Sequence, residues 1–216
     1  MLNSITRYLF NPIFILCRLW RIAYFQVIDL FNLSIVDHDN HRNSHAISLV
    51  YSIFTSCLTP YSFYLIYNNY FLITQINPVI SDVIYNLSLS YFISDLVIGI
   101  KYYPGILNNS ILTSYVHHGA YISLLVYGKY YGKSHLFILG MPYEIPAFFL
   151  NLRYVSEKYK NYKLFGWLFL FFRIFYNMFL LYKTFMVHND MFIFSLCTLM
   201  MHVYWFSTYV KKHSLI

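Results

Sequence analysis

Six apolar stretches, each close to the roughly twenty residues that a helix needs to cross a bilayer, account for most of this chain. They fall at about 46–67, 81–101, 108–128, 134–152, 163–183 and 190–210. Hydrocarbon offers no partner to a backbone N–H or C=O, so each stretch is expected to satisfy its own groups as a helix. The composition agrees. Of the 216 residues 59% are hydrophobic and only 11% are charged, with a mean hydropathy of +0.51. A soluble domain of this length carries about a quarter of its residues charged. The expected fold class is therefore all-α, a polytopic transmembrane helical bundle with about six spans plus an N-terminal interfacial helix or extra span. The fourth stretch holds Pro142 and Pro146 and is expected to be kinked or broken, with neighbouring groups satisfying the carbonyls that the prolines free.

The segment before these runs, "RYLFNPIFILCRLWRIAYFQVIDLF", is apolar but carries Arg18, Arg21 and Asp29. A helix with a basic face at the interface fits it better than a crossing, although a crossing stays open. A cleaved signal peptide is not expected, because the arginines follow the apolar stretch and no small-residue cleavage pattern closes it. Residues 1–41 are thus set apart as an amphipathic or anchor segment, 42–212 as the membrane domain and 213–216 as a tail.

The basic residues set the orientation. With six crossings, Arg7, Arg18, Arg21, Arg42, Lys101, Arg153, Lys158, Lys160, Lys163, Lys211 and Lys212 share the side of the amino terminus. Only Lys129, Lys133 and Lys183 fall opposite, which predicts that both termini are cytosolic. The sequons at Asn32, Asn86 and Asn108 then lie in the cytosol or the membrane and are expected to be unglycosylated. The basic excess is scattered between apolar runs, so it predicts topology and not nucleic-acid binding. Cys17, Cys57 and Cys197 stand singly, without the spacing of a disulfide or metal framework. Glycine is scarce, at seven residues, and no phosphate-binding loop or serine nucleophile elbow is present.

Ionisable groups inside the runs are costly and mark a cavity or a partner. They are Asp95, His117, His118, Glu144, Arg173 and His202, and all but Asp95 fall near the middle of their run. Asp95 shares a helix face with Ser88 and Tyr91, at the i, i+3, i+7 spacing of a polar stripe. Ser195, Thr198 and His202 form another stripe, Asn177 stands one turn from Arg173, and Glu144 shares a face with Asn151. Arg173 is expected to meet Glu144 or Asp95 in a charge-assisted bond. Adjacent histidines point about 100° apart on one helix, so one can face a substrate while a carboxylate holds the other. The candidate catalytic residues are His117, His118 and Glu144, with Asp95, Arg173, Asn177 and His202 as further polar-core residues. Adjacent histidines ligate one ion poorly compared with i, i+4 pairs, so no metal and no cofactor are expected.

In order along the chain, "RNSHAISLVYSIF" at 42–54, "SYFISDLVIGIKYY" at 90–103, "YVHHGAYIS" at 115–123 and "EIPAFFLNLR" at 144–153 resemble the TLC-domain family, named for homology among TRAM, Lag and CLN membrane proteins. The resemblance covers about residues 42 to 212. It implies a multi-span helical protein of the endoplasmic reticulum or a related endomembrane with a lipid-related role. The enzymatic branch of the family, the ceramide synthases, transfers a fatty acyl group from acyl-CoA to a sphingoid amine. In that branch the double histidine is followed one helix later by a His-Asp and a second Asp. Here His117 and His118 match the double histidine, but the later stretch reads "GMPYEIPAFF", with Glu144 as its only acid. That departure favours the non-synthase branch. The expected function is lipid binding or handling that affects membrane lipid composition, with membrane lipids or acyl chains as partners and a homo-oligomer possible. The alternatives are an acyltransferase using the histidine pair and acyl-CoA, and a proton-coupled transporter or channel.

Overall fold

The computed structural model describes residues 12–33, 41–68, 78–109, 111–159, 161–187 and 189–213. Arg7, Lys160, the residues Ser34 and Ser110 of two sequons, and the tail at 214–216 lie outside the described residues. Every regular element among the described residues is helical, which makes the chain an all-α membrane protein. It divides into two compact units, one of Met1–Tyr51 with Gln75–Ile138 and one of Ser52–Thr74 with Leu139–Ile216.

Helix α1 covers Pro12–Leu30, α2 His41–Tyr67 and α3 Pro78–Tyr102. A short α4, Pro104–Asn109, and a π turn, Leu112–Val116, lead into α5, His117–Tyr130. A 3₁₀ stretch, Ser134–Tyr143, runs directly into α6, Glu144–Val155. Helix α7, Tyr162–Phe169, passes through a second π turn, Leu170–Phe175, into α8, Tyr176–Val187, and α9 covers Asn189–His213. Among the described residues four helices are long and apolar enough to cross a membrane: His41–Tyr67, Val79–Tyr102, Lys163–Met186 and Met191–His213. These match the first, second, fifth and sixth expected runs. The third and fourth are helical too but are interrupted, the third by a π turn and the fourth by 3₁₀ geometry around Pro142.

In the first unit α1 is present as expected, and it runs alongside α3 in the same direction. Cys17 and Trp20 lie at Ser90, while Tyr24 and Phe25 lie at Tyr102. Its buried face, Trp20, Tyr24, Val27 and Ile28, repeats at helical spacing, and Arg18 and Arg21 are exposed on the other face. Asn32, at φ 50°, ends α1, with Leu33 N–H bonded to the Ile28 carbonyl at 2.9 Å; Asn tolerates this left-handed cap better than most residues. Tyr51 and Tyr91 stack at 3.8 Å with Trp20 edge-on to both. Their hydroxyls donate to Ser88 at 3.0 Å and Ser48 at 2.9 Å, so the aromatic packing of α1, α2 and α3 carries its polar tips satisfied. Lys129, near the end of α5, pairs with Asp82 at the start of α3, as two antiparallel neighbours require.

In the second unit Pro142 lies inside the 3₁₀ stretch. A 3₁₀ helix bonds each N–H to the carbonyl three residues back, so Pro142 leaves the Leu139 carbonyl without a donor. That carbonyl, and the one of Tyr143 just before α6, meet side chains of the following span. The Tyr176 hydroxyl donates to Leu139 at 2.7 Å, and Arg173 Nε donates to Tyr143 at 2.8 Å. Asn161 caps α7 by accepting from Leu164 N–H at 3.0 Å. Gly166 lets the Tyr209 ring of α9 lie where a Cβ would come within 2.8 Å of it.

Candidate functional site

The expected site residues fall in both units. Asp95, His117 and His118 belong to the first, and Glu144, Arg173, Asn177 and His202 to the second.

The first centre is built on Asp95, in the polar stripe of α3, where it is 7% exposed. His118, 8% exposed on α5, brings Nε2 to 2.8 Å from Asp95 Oδ2. The Tyr103 hydroxyl donates to Asp95 Oδ1 at 2.8 Å, and that of Tyr91 reaches Oδ2 at 3.5 Å. Tyr103 gets there because Pro104 ends α3 and because Gly99 leaves room: a Cβ at 99 would lie 2.9 Å from the Tyr103 ring and 2.7 Å from Leu107.

The π turn before α5 sets the other end of the imidazole. Such a turn shifts the hydrogen-bond register by one residue and alters which carbonyls are used. The Ser114 carbonyl accepts from His118 Nδ1 at 2.8 Å, and the Ser114 hydroxyl donates to Leu107 at 2.8 Å. A carbonyl only accepts, so Nδ1 carries a proton. One further proton is shared between Nε2 and the carboxylate, and the pair is neutral overall whichever atom holds it. Both ring nitrogens of His118 are thereby engaged by the protein. The ring of His117 is half-buried, 4.7 Å from that of Tyr121 and 6.2 Å from that of Phe92, the two rings being stacked on each other at 5.0 Å.

The second centre joins α6 to α9. Arg173 lies in the second π turn, and its terminal nitrogen is 3.9 Å from Glu144 Oε1, the outer limit of an ion pair. Its shorter bond is the one from Nε to the Tyr143 carbonyl, and its guanidinium lies over the rings of Phe169 and Trp205 at 5.4 and 5.9 Å. Of the two carboxylates expected for Arg173, Glu144 is the one it approaches, while the oxygens of Asp95 are used within the first unit by His118 and the tyrosines. Glu144 opens α6, where a negative charge is favoured by the helix dipole.

His202 and Asn177 are almost fully buried, at 1% and 0%. His202 Nδ1 is 3.0 Å from the Arg173 carbonyl and 3.1 Å from the Asn177 amide nitrogen, and the Asn177 oxygen accepts from the Tyr143 hydroxyl at 2.8 Å. The carbonyl contact needs a proton on Nδ1 and the amide-nitrogen contact needs its lone pair, so only one operates at a time. In both units, then, a residue of a π turn offers its carbonyl to a histidine Nδ1.

Sequence reasoning missed Tyr103, Ser114 and Tyr143. Only Tyr103 carried a signal, the Pro104 that follows it and ends α3. Among the described residues no three His, Cys, Asp or Glu side chains gather as a metal site.

No curated protein and no solved structure matches the chain. A family model does, that of the TLC domain of TRAM, LAG1 and CLN8, over residues 42–211. That span takes in both centres and leaves α1 outside it. With His118 of "YVHHGAYIS" held at Asp95 and most of its length matched, the chain belongs to the TLC-domain family of membrane proteins.

Proposed function

We propose that this protein is a non-synthase TLC-domain member that binds a lipid or acyl chain and alters membrane lipid composition, with the lipid's polar group met beside His117. The observation that carries this reading is the buried Asp95–His118 pair. Ionisable groups in an apolar helical setting are costly, and here they are braced by the protein: the carboxylate by the Tyr103 hydroxyl and the imidazole by the Ser114 carbonyl. Such bracing fixes a polar spot of defined geometry next to a half-buried imidazole and a stacked aromatic pair, a surface suited to a lipid carbonyl or hydroxyl on an apolar chain. The reading needs no cofactor, and its partners are membrane lipids. An endomembrane location such as the endoplasmic reticulum, with a cytosolic carboxy terminus, belongs to it.

Acyl transfer is the second reading. His118 has no nitrogen left to take a proton from a nucleophile, so the chemistry would fall to His117 alone, with Glu144 in place of the family's aspartates. Acyl-CoA would then be the donor. The double histidine is the feature that favours it.

The test is mass spectrometry of lipids extracted from purified wild type, a His117→Ala variant and a His117→Ala, His118→Ala variant. A defined lipid present in wild type and missing from both variants supports the reading, and a covalent acyl adduct would turn it toward acyl transfer. Identical lipid profiles in folded variants would sink both.

A further inference from the structure

Two buried hydroxyls between α1 and α3 have no hydrogen-bond partner among the described residues. Tyr24 is 0% exposed and Ser94 is 5% exposed, and neither side-chain oxygen meets a donor or an acceptor there. Buried polar groups are ordinarily hydrogen-bonded, and an unpaired one costs free energy that Phe or Ala at the same position would avoid.

Helical geometry brings both to one seam. Ser90 of α3 faces α1, since its hydroxyl accepts from Trp20 Nε1 at 3.0 Å and its carbonyl lies 3.6 Å from the Cys17 thiol. Ser94 stands one turn beyond Ser90 and Tyr24 one turn beyond Trp20, and the two helices run in the same direction. The Tyr24 ring stacks on that of Tyr102 at 5.9 Å. Ser94 directly precedes Asp95, so the seam runs beside the first centre.

Its charge selects the ligand. An anion would find no cation to pair with, since the Asp95–His118 pair is neutral overall and the cations of α1, Arg18 and Arg21, are exposed over the rings of Phe14 and Phe25. A cation gains little, because the Asp95 oxygens are already engaged by Tyr103 and His118. A neutral hydroxyl both donates and accepts, as do the two side chains that await a partner.

We propose that the seam between α1 and α3 binds the uncharged, hydroxyl-bearing head of a neutral lipid of the monoacylglycerol or long-chain alcohol class, with Tyr24 and Ser94 as its hydrogen-bonding contacts. The proposal rests on the lipid-binding reading above and names its ligand class. It also gives α1, which the family match does not include, a direct part in binding.

The experiment uses the full chain, purified and delipidated in detergent, with monopalmitoylglycerol as probe and palmitate as its charged counterpart. Binding is measured by native mass spectrometry titration, and thermal unfolding of the lipid-free protein is followed in parallel. Tyr24→Phe and Ser94→Ala are each expected to weaken monopalmitoylglycerol about tenfold, as loss of one buried hydrogen bond implies. Lipid-free unfolding should stay put or rise, because neither substitution removes a hydrogen bond within the protein. Unchanged affinity in both variants, tighter binding of palmitate, or a lower unfolding temperature in both would overturn the proposal. Normal probe binding in Tyr24→Phe with lipid lost from His117→Ala would remove the seam and keep the histidine site. The opposite pair of results would keep the seam and remove the histidine site.

Discussion

His118 Nε2 lies 2.8 Å from Asp95 Oδ2 while Nδ1 lies 2.8 Å from the Ser114 carbonyl, so a single imidazole ties α3 to the π turn that precedes α5. Removing either partner of such a buried pair leaves the other uncompensated, which costs about 3 kcal/mol or more. His118→Ala and Asp95→Ala should each lower stability by about that amount, with the double variant well short of the sum. A double-mutant cycle from denaturant unfolding in detergent is expected to show a coupling of about 2 kcal/mol. Additive losses would mean that the two residues do not act as a pair.

His117 should behave differently from its neighbour. Its ring makes edge contacts with Tyr121 and Phe92 and is half-buried, so His117→Ala is expected to cost only about 1 kcal/mol. The variant should express and unfold nearly as wild type yet lose its bound lipid. Expression that falls as far in His117→Ala as in His118→Ala would assign both histidines to packing.

The contrast between the histidines marks how far the sequence could be read. Span positions followed from hydropathy, because length in hydrocarbon is a one-dimensional constraint. The stripe of Ser88, Tyr91 and Asp95 followed from helical periodicity, and all three are buried as a stripe of that kind should be. The prolines at 142 and 146 announced a broken helix, and the structure adds that the Leu139 carbonyl freed by Pro142 is taken by the Tyr176 hydroxyl. The π turns were not legible, since a register shift of one residue is decided by packing and leaves no composition signal. Without them nothing in the sequence tells that Ser114 and Arg173 offer their carbonyls to His118 and His202. Tyr24 was equally hidden, one of 24 tyrosines in an aromatic-rich chain, distinguished only by where α1 docks.

Gly99 offers a steric test of the first centre. A Cβ there would stand 2.7 Å from a Leu107 methyl and 2.9 Å from the Tyr103 ring, below any ordinary contact. Gly99→Ala should push Tyr103 away from Asp95 and lower stability by about 1–3 kcal/mol, the usual range for overpacking. Tyr103→Phe, which removes only the hydroxyl bonded to Asp95, should cost about 1–2 kcal/mol. If Gly99 acts through Tyr103, the two changes together cost less than their sum, and Leu107→Ala partly rescues Gly99→Ala. Thermal unfolding of the set decides it, and strict additivity would show that Gly99 matters only to the α3–α4 contact.

In the second unit Arg173 separates charge from shape. Its Glu144 contact is long at 3.9 Å, whereas the Nε bond to the Tyr143 carbonyl is 2.8 Å and the planar guanidinium lies over Phe169 and Trp205. Lysine keeps the charge but has neither the Nε donor nor the plane. Arg173→Lys is therefore expected to be destabilised nearly as much as Arg173→Ala, by about 2–3 kcal/mol, the loss of a charged hydrogen bond to a buried carbonyl. Glu144→Gln, which keeps the shape of the weak partner, should cost less than about 1 kcal/mol. Should Arg173→Lys instead unfold like wild type while Glu144→Gln is severely destabilised, the ion pair would be the force that holds α6 to the second π turn.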